Sequence, residues 1–431
     1  MRTYKKTIVI SMLSAFVGWA DTAAASSFQL MEQNASGLGN AYAGQAAAAE
    51  NSSTIFYNPA GMAQLPGTQI SLAVSALGPS IQFTDSGKSN SPVPGAVPLG
   101  DDGGDAGSWT ALPTGYFSWQ LNQSLWLGIG FTSPFGLKTD YDANFIGRFQ
   151  SQTAELKTED INPSVAWKIN DLVTLGAGIS YQDAQFTLDR PTITGISPPA
   201  TVFIGSTHLD VSNNQWGWNI GAMLNFGPDS RIGVSYRSSI SYDLGGTATI
   251  SGVPLAGTVA SPVTANIRFP DTYSIAFAQA LNEQWELLGD LTLTRWSTIK
   301  SVPVVTTSSS LFGPIGTTLD NFDFQFDDSV RIGLGVNDKV TKDFTLKAGI
   351  AYDETPVETQ YRLVALPDNN RFWLALGGKY AFSKSATFDF GYAHLFVKDA
   401  SINQTLPSQG SIIGTYSEYV NIVSAQLSFA F

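Results

Sequence analysis

The chain has no cysteine in its 431 residues. A disulfide framework and a thiolate metal site are therefore excluded. Histidine is nearly as scarce: His208 and His394 lie far apart, with no carboxylate motif beside either. A histidine metal centre or a His-dependent triad has no raw material, so no metal, no cofactor and no enzymatic activity are expected. Charged residues make up 13%, about half of the roughly 25% typical of soluble domains. The net charge of −12 argues against nucleic acid as a partner. Beyond the first 25 residues no apolar run approaches the ~20 residues of a membrane-crossing helix. Any membrane this chain crosses must be crossed by strands.

What is abundant is glycine (41), phenylalanine (26), tyrosine (15) and tryptophan (10), a mixture suited to a large surface that does not face water. Arg2, Lys5 and Lys6 precede an apolar run from Ile8 to Trp19, followed by Ala23-Ala24-Ala25. That order is an export signal with a small-residue cleavage site, assigned to residues 1–25. Residues 26–67 are different again, crowded with Gly37, Gly39, Ala41, Ala43, Gly44 and Ala46 to Ala49. They close on Asn58-Pro59-Ala60-Gly61, where Pro59 holds Asn58 extended and Gly61 permits a sharp turn. A compact, partly helical plug is expected here, ahead of a β region over 68–431.

In that region polar and apolar residues alternate. Leu125-Leu127-Ile129-Phe131, Trp216-Trp218-Ile220-Ala222-Leu224-Phe226 and Phe344-Leu346-Ala348-Ile350-Tyr352 each place one apolar face on a strand. Connections alternate in length. Short ones fall at 121–124, 169–172, 226–230, 281–284, 337–343 and 382–386. Long ones, rich in Gly, Pro, Ser and Thr, fall at 78–108, 136–156, 190–211, 245–266, 300–321, 355–370 and 401–417. Short turns at one end and long loops at the other define an all-β transmembrane antiparallel barrel of about fourteen strands, with the plug in its lumen. Trp126, Trp167, Trp285, Trp296 and Tyr380 are expected in the interfacial aromatic girdles. Arg231, Arg237, Glu286, Asp290, Lys347 and Lys379 fall on the opposite, lumenal face, where they are expected to support the plug. The final strand ends on Phe431, which resembles the signal read by the bacterial barrel-assembly machinery.

FQLMEQNASGLGNAYAG (28–44), NPAG (58–61), SPFGLKTDY (133–141), NQWGWNIGAML (214–224), RIGVSYRSSI (231–240) and LPDNNRFWLALGGKYAF (366–382) together resemble the FadL/TodX family of outer-membrane channels. The resemblance runs in order through nearly the whole mature chain. It implies a monomeric fourteen-stranded barrel in outer-membrane lipid and lipopolysaccharide, closed by an N-terminal hatch. It further implies passive uptake of long-chain fatty acids or, alternatively, of aromatic or aliphatic hydrocarbons. The hatch role falls on Phe28, Gly37, Gly39, Asn58, Pro59, Ala60 and Gly61. The implied lateral exit at a kinked strand falls on the third strand, at Gly128, Gly130, Ser133, Pro134, Phe135 and Gly136, since Gly and Pro weaken a ladder. Pro134 ending that strand before its loop is the equal alternative. Arg190, and after it Arg148, are the cations expected to meet a ligand carboxylate. Asp327-Asp328 stands where carboxylate-handling members carry a lysine.

Overall fold

A computed structural model describes residues 27–197 and 201–431. The expected signal segment, 1–25, lies outside the described residues. The alternating segments pair, each antiparallel to the next, until Thr68–Asp85 meets Gly410–Ala430 and closes the sheet. Closure continues to the chain end, where Thr68 and Phe431 exchange backbone hydrogen bonds of 3.2 and 2.9 Å. A closed sheet has no edge strand, so outside its interruptions the ladder groups are paired without water.

Six strands are interrupted part-way. The third runs Leu125–Thr132 and Gly136–Asp140, the seventh Ser230–Arg237 and Ile240–Val253, the eighth Gly257–Phe269 and Thr272–Ala280. The ninth runs Trp285–Thr294 and Ser301–Thr306, the tenth Thr318–Asp323 and Ser329–Asp338, the thirteenth Ala386–Val397 and Ala400–Leu406. Taking these pairs as single strands, the barrel has fourteen, as the alternation of short and long connections required.

Polarity is inverted relative to a soluble protein. Trp218, Ile220, Leu346, Ile350 and Tyr352 are exposed, whereas Lys347 is 2% exposed in the lumen. Trp126 and Trp296 depart from the expected girdle. Trp126 shares the lumenal parity of Gly128 and Gly130, and its indole donates to the Leu65 carbonyl at 2.8 Å. Trp296 lies in the break of the ninth strand, where the period of two no longer applies, and it is fully buried. Several long connections are also more ordered than their composition indicated. The fifth strand (Val173–Ser197) and sixth strand (Thr201–Asn225) carry their ladder through most of 190–211. Thr, Ile and Val there favour continued pairing, and 25 residues at ~3.4 Å each exceed any bilayer.

The plug forms as expected: a 3-10 turn (Leu38–Asn40), two one-turn helices (Gln45–Ala48 and Thr54–Tyr57) and a second 3-10 segment (Pro59–Gln64). It is seated by absent side chains. A Cβ added at Gly233 would lie 1.9 Å from the Ala46 carbonyl oxygen, and one at Gly349 would lie 2.2 Å from the Asn40 backbone. Gly39 of the plug and Gly377 of the wall meet backbone to backbone in the same way. Small residues on both partners let the plug backbone lie against the sheet.

Candidate functional site

At the strand breaks the chain leaves the sheet, and a large apolar residue at or beside the break packs into the lumen. Phe135, Ile240, Phe269, Trp296 and Phe326 are all at most 5% exposed and belong to one apolar cluster. Leu156, Leu188, Leu209, Tyr242, Val302 and Val304 from neighbouring strands complete its wall. Phe28, near the start of the plug, puts its ring among these aromatics. The ring meets Trp296 edge-on at 4.6 Å, with Phe269 at 5.5 Å, Phe135 at 6.1 Å and Phe326 at 6.4 Å. Edge-to-face packing at these separations is favourable beyond burial alone.

The segment carrying Phe28 is hydrogen-bonded to the break in the third strand. Gly136 donates to the Phe28 carbonyl and Leu30 to the Pro134 carbonyl, both at 2.8 Å, with Gln29 bridged to Phe135. The Gln33 side chain accepts from the Ser133 amide at 3.2 Å and donates to its carbonyl at 2.7 Å. On the second strand (Thr110–Gln120), the hydroxyl of Thr114 donates to the Gln33 carbonyl at 3.0 Å. The ladder between second and third strands extends only from Gln120–Trp126 to Gly115–Phe131. Beyond it Ala111–Thr114 pair with the first strand, and Gly136–Asp140 with the fourth strand (Thr153–Lys168). The wall therefore parts at Ser133-Pro134-Phe135, and residues 28–33 cover the parting from inside. Gly128 and Gly130 lie outside it, in regular ladder, with Ile55 of the plug against both.

The rest of the plug is fastened by polar groups. Asn58 caps the Pro59–Gln64 turn by accepting from the Ala60 amide at 3.1 Å. Its amide donates to the carbonyls of Ala46 at 2.7 Å and Ala222 at 3.1 Å, joining plug to sixth strand. Pro59, Ala60, Gly61, Gly37 and Gly39 of the plug are likewise buried. Glu50 pairs with Lys347 at 2.8 Å and Lys379 at 3.4 Å. Burial pushes its carboxyl up, but the two ammonium groups outweigh this and hold it down to about 2. Arg331 reaches Asp290 at 3.2 Å and the Ala41 carbonyl, while Arg237 donates to the Phe56 carbonyl at 2.9 Å. Arg231 pairs with Glu286 at 3.3 Å. The lumenal charges expected to support the plug thus bind it or one another.

The two arginines picked out for a carboxylate are already engaged. Arg190 is 10% exposed and pairs with Asp320 at 2.8 Å. Arg148 donates to four backbone carbonyls, those of Pro98, Leu99, Asn144 and Phe145, at 2.7–3.3 Å. Sequence reasoning missed Phe269, Trp296, Phe326 and Asp320. The alternating aromatics Phe322, Phe324 and Phe326, at the start of the strand expected between the connections 300–321 and 337–343, were the one signal available.

A closed fourteen-stranded barrel with an apolar outer face and a plug seated in an aromatic lumen pocket defines an outer-membrane transport protein for hydrophobic compounds. The family model described as outer membrane protein transport protein (OMPP1/FadL/TodX) matches residues 16–431, and the chain belongs to that family. A long-chain fatty acid transport protein of Salmonella typhi is 28% identical over 404 residues, covering 88% of this chain and 89% of its own. The crystal structure of a Pseudomonas aeruginosa FadL homologue superimposes with a TM-score of 0.84 at 23% identity, over 94% of this chain and 100% of that one. The toluene transporter TodX of P. putida does so with a TM-score of 0.70 at 16% identity, over 92% and 98%. At those identities the two structures bear on the fold alone.

Proposed function

We propose that this protein takes up long-chain fatty acids or similar lipophilic molecules passively across the outer membrane. The observation carrying this reading is that one short segment does two things. Phe28 fills the apolar pocket, and its neighbours Gln29 to Gln33 seal the parting of the third strand. A ligand that takes the place of the Phe28 ring withdraws the seal, and it leaves sideways into lipid past Pro134. Each CH₂ kept out of water contributes about 0.8 kcal/mol, so a chain of apolar stations is a better route than a wet pore. Ile196, Phe203, Ile204 and Leu255, exposed at the hairpin tips, offer the first station. The protein acts as a monomer and reaches the membrane through the barrel-assembly machinery, with lipid and lipopolysaccharide around its apolar belt.

Uptake of uncharged hydrocarbons is the second reading, favoured by the Arg190–Asp320 pair. The test is uptake of labelled oleate and labelled toluene by cells lacking their own hydrophobic channel, with and without this protein. Uptake of either that falls in Phe28→Asp supports the route. Uptake of neither removes it.

A further inference from the structure

Two contacts cross the lumen at the mouth of the apolar pocket. Phe186 on the fifth strand meets Phe322 on the tenth edge to face at 5.6 Å. Four residues on along the fifth strand and two back along the tenth, Arg190 meets Asp320 at 2.8 Å. The fifth strand is laddered to the fourth and sixth, and the tenth to the ninth and eleventh. The contacts therefore tie two parts of the wall that share no ladder, an aromatic tier with an ionic tier beside it. Leu188, between Phe186 and Arg190, belongs to the pocket wall, and Leu319 and Phe324 beside Asp320 pack against it.

We propose that Asp320 sets the ligand class of this pocket, by occupying Arg190 so that the site takes an uncharged long-chain lipophile in preference to a carboxylate. This narrows the uptake reading to its uncharged lipophiles over fatty acids, and rests on the Phe28 pocket being the ligand site. The arginine is compensated from within, with Arg190 and Asp320 only 10% and 16% exposed. A ligand carboxylate gains its ion pair only by expelling Asp320, which leaves a buried anion without a partner. An ester, alcohol or hydrocarbon displaces nothing charged. Two further arginines also have carboxylate partners: Arg371 pairs with Asp368, and the more exposed Arg295 with Asp328 at 3.8 Å. Lys300, whose ammonium donates to the Phe326 carbonyl at 2.7 Å, has no carboxylate within 4.0 Å among the described residues and serves as the control.

The experiment is equilibrium binding of oleate and methyl oleate to the full-length mature protein in detergent at pH 8. Asp320→Asn, Arg190→Gln, the double variant and Lys300→Gln are compared, each first shown to migrate as a folded barrel. Wild type is expected to bind methyl oleate more tightly than oleate. Asp320→Asn is expected to raise oleate affinity about tenfold, the scale of one charge-assisted hydrogen bond, and to leave methyl oleate within about twofold. The double variant is expected to lose that gain. An unchanged ratio of the two ligands in Asp320→Asn overturns the proposal, as does wild-type oleate binding that exceeds methyl oleate and collapses in Arg190→Gln or Lys300→Gln. Binding of neither ligand overturns the pocket reading itself, and the proposal with it. Binding of both, competed equally and indifferent to Asp320, leaves the uptake reading standing and removes only Asp320.

Discussion

Phe28 and Trp296 meet edge to face at 4.6 Å, joining the second described residue of the plug to the break in the ninth strand. The contact connects plug position to wall shape: the indole is in the lumen because the strand is interrupted there. Phe28→Ala should loosen the plug, since removing a buried phenylalanine costs about 3–5 kcal/mol in a well-packed site. Limited proteolysis of the folded barrel should then cut within residues 28–40 much faster than in wild type. Equal protection would mean that the ring is not an anchor.

Asn58 holds two plug segments and one wall strand together through three hydrogen bonds. Asn58→Ala leaves the Ala46 and Ala222 carbonyls buried without that donor, at a cost of about 1–3 kcal/mol each. Uptake should fall while the heat-modifiable gel shift of the barrel stays. A lost gel shift would place Asn58 in barrel assembly instead.

Gly233 is one of the wall glycines against which the plug backbone lies directly. Gly233→Val puts a side chain where the Ala46 carbonyl now lies, so the plug cannot seat although the strand can still form. Planar-bilayer recordings should show ion conductance in the variant and little in wild type. A silent variant would show that the plug tolerates displacement.

Glu32 is fully buried, and neither carboxylate oxygen has a side-chain hydrogen-bond partner among the described residues. Burial raises its carboxyl from the ordinary value to about 7, against the smaller pulls of its own backbone amide, Arg371 and Arg331. The seated plug therefore binds more protons than the displaced one. Its stability is fully present below about 4.5 and declines as pH rises to about 7. Proteolysis of the plug should accelerate over that range in wild type, and Glu32→Gln should flatten the profile. A profile that stays sloped in the variant assigns the effect to another group.

How far the fold was legible follows from where the period of two holds. Phe344 to Tyr352 alternate without interruption, and the structure places that strand as its pattern requires. Trp126 was misassigned to the girdle, although its parity with Gly128 and Gly130 pointed to the lumen. Asp320 and Phe326 were not legible. They lie where pairing lapses or shifts register, and no local rule says which way a side chain turns once the ladder stops.

Composition and alternation by themselves determined that this chain is an outer-membrane barrel of fourteen strands with a small-residue segment to fill it. Those features are local and periodic, and inverted polarity has few other uses. Only the tertiary structure decided that Phe28 sits among Phe135, Phe269, Trp296 and Phe326, that residues 28–33 cover the third-strand break, and that Arg190 is matched by Asp320. Each is a meeting of residues a hundred or more positions apart in the chain. Barrel closure fixes such distances, and nothing along the chain encodes them locally.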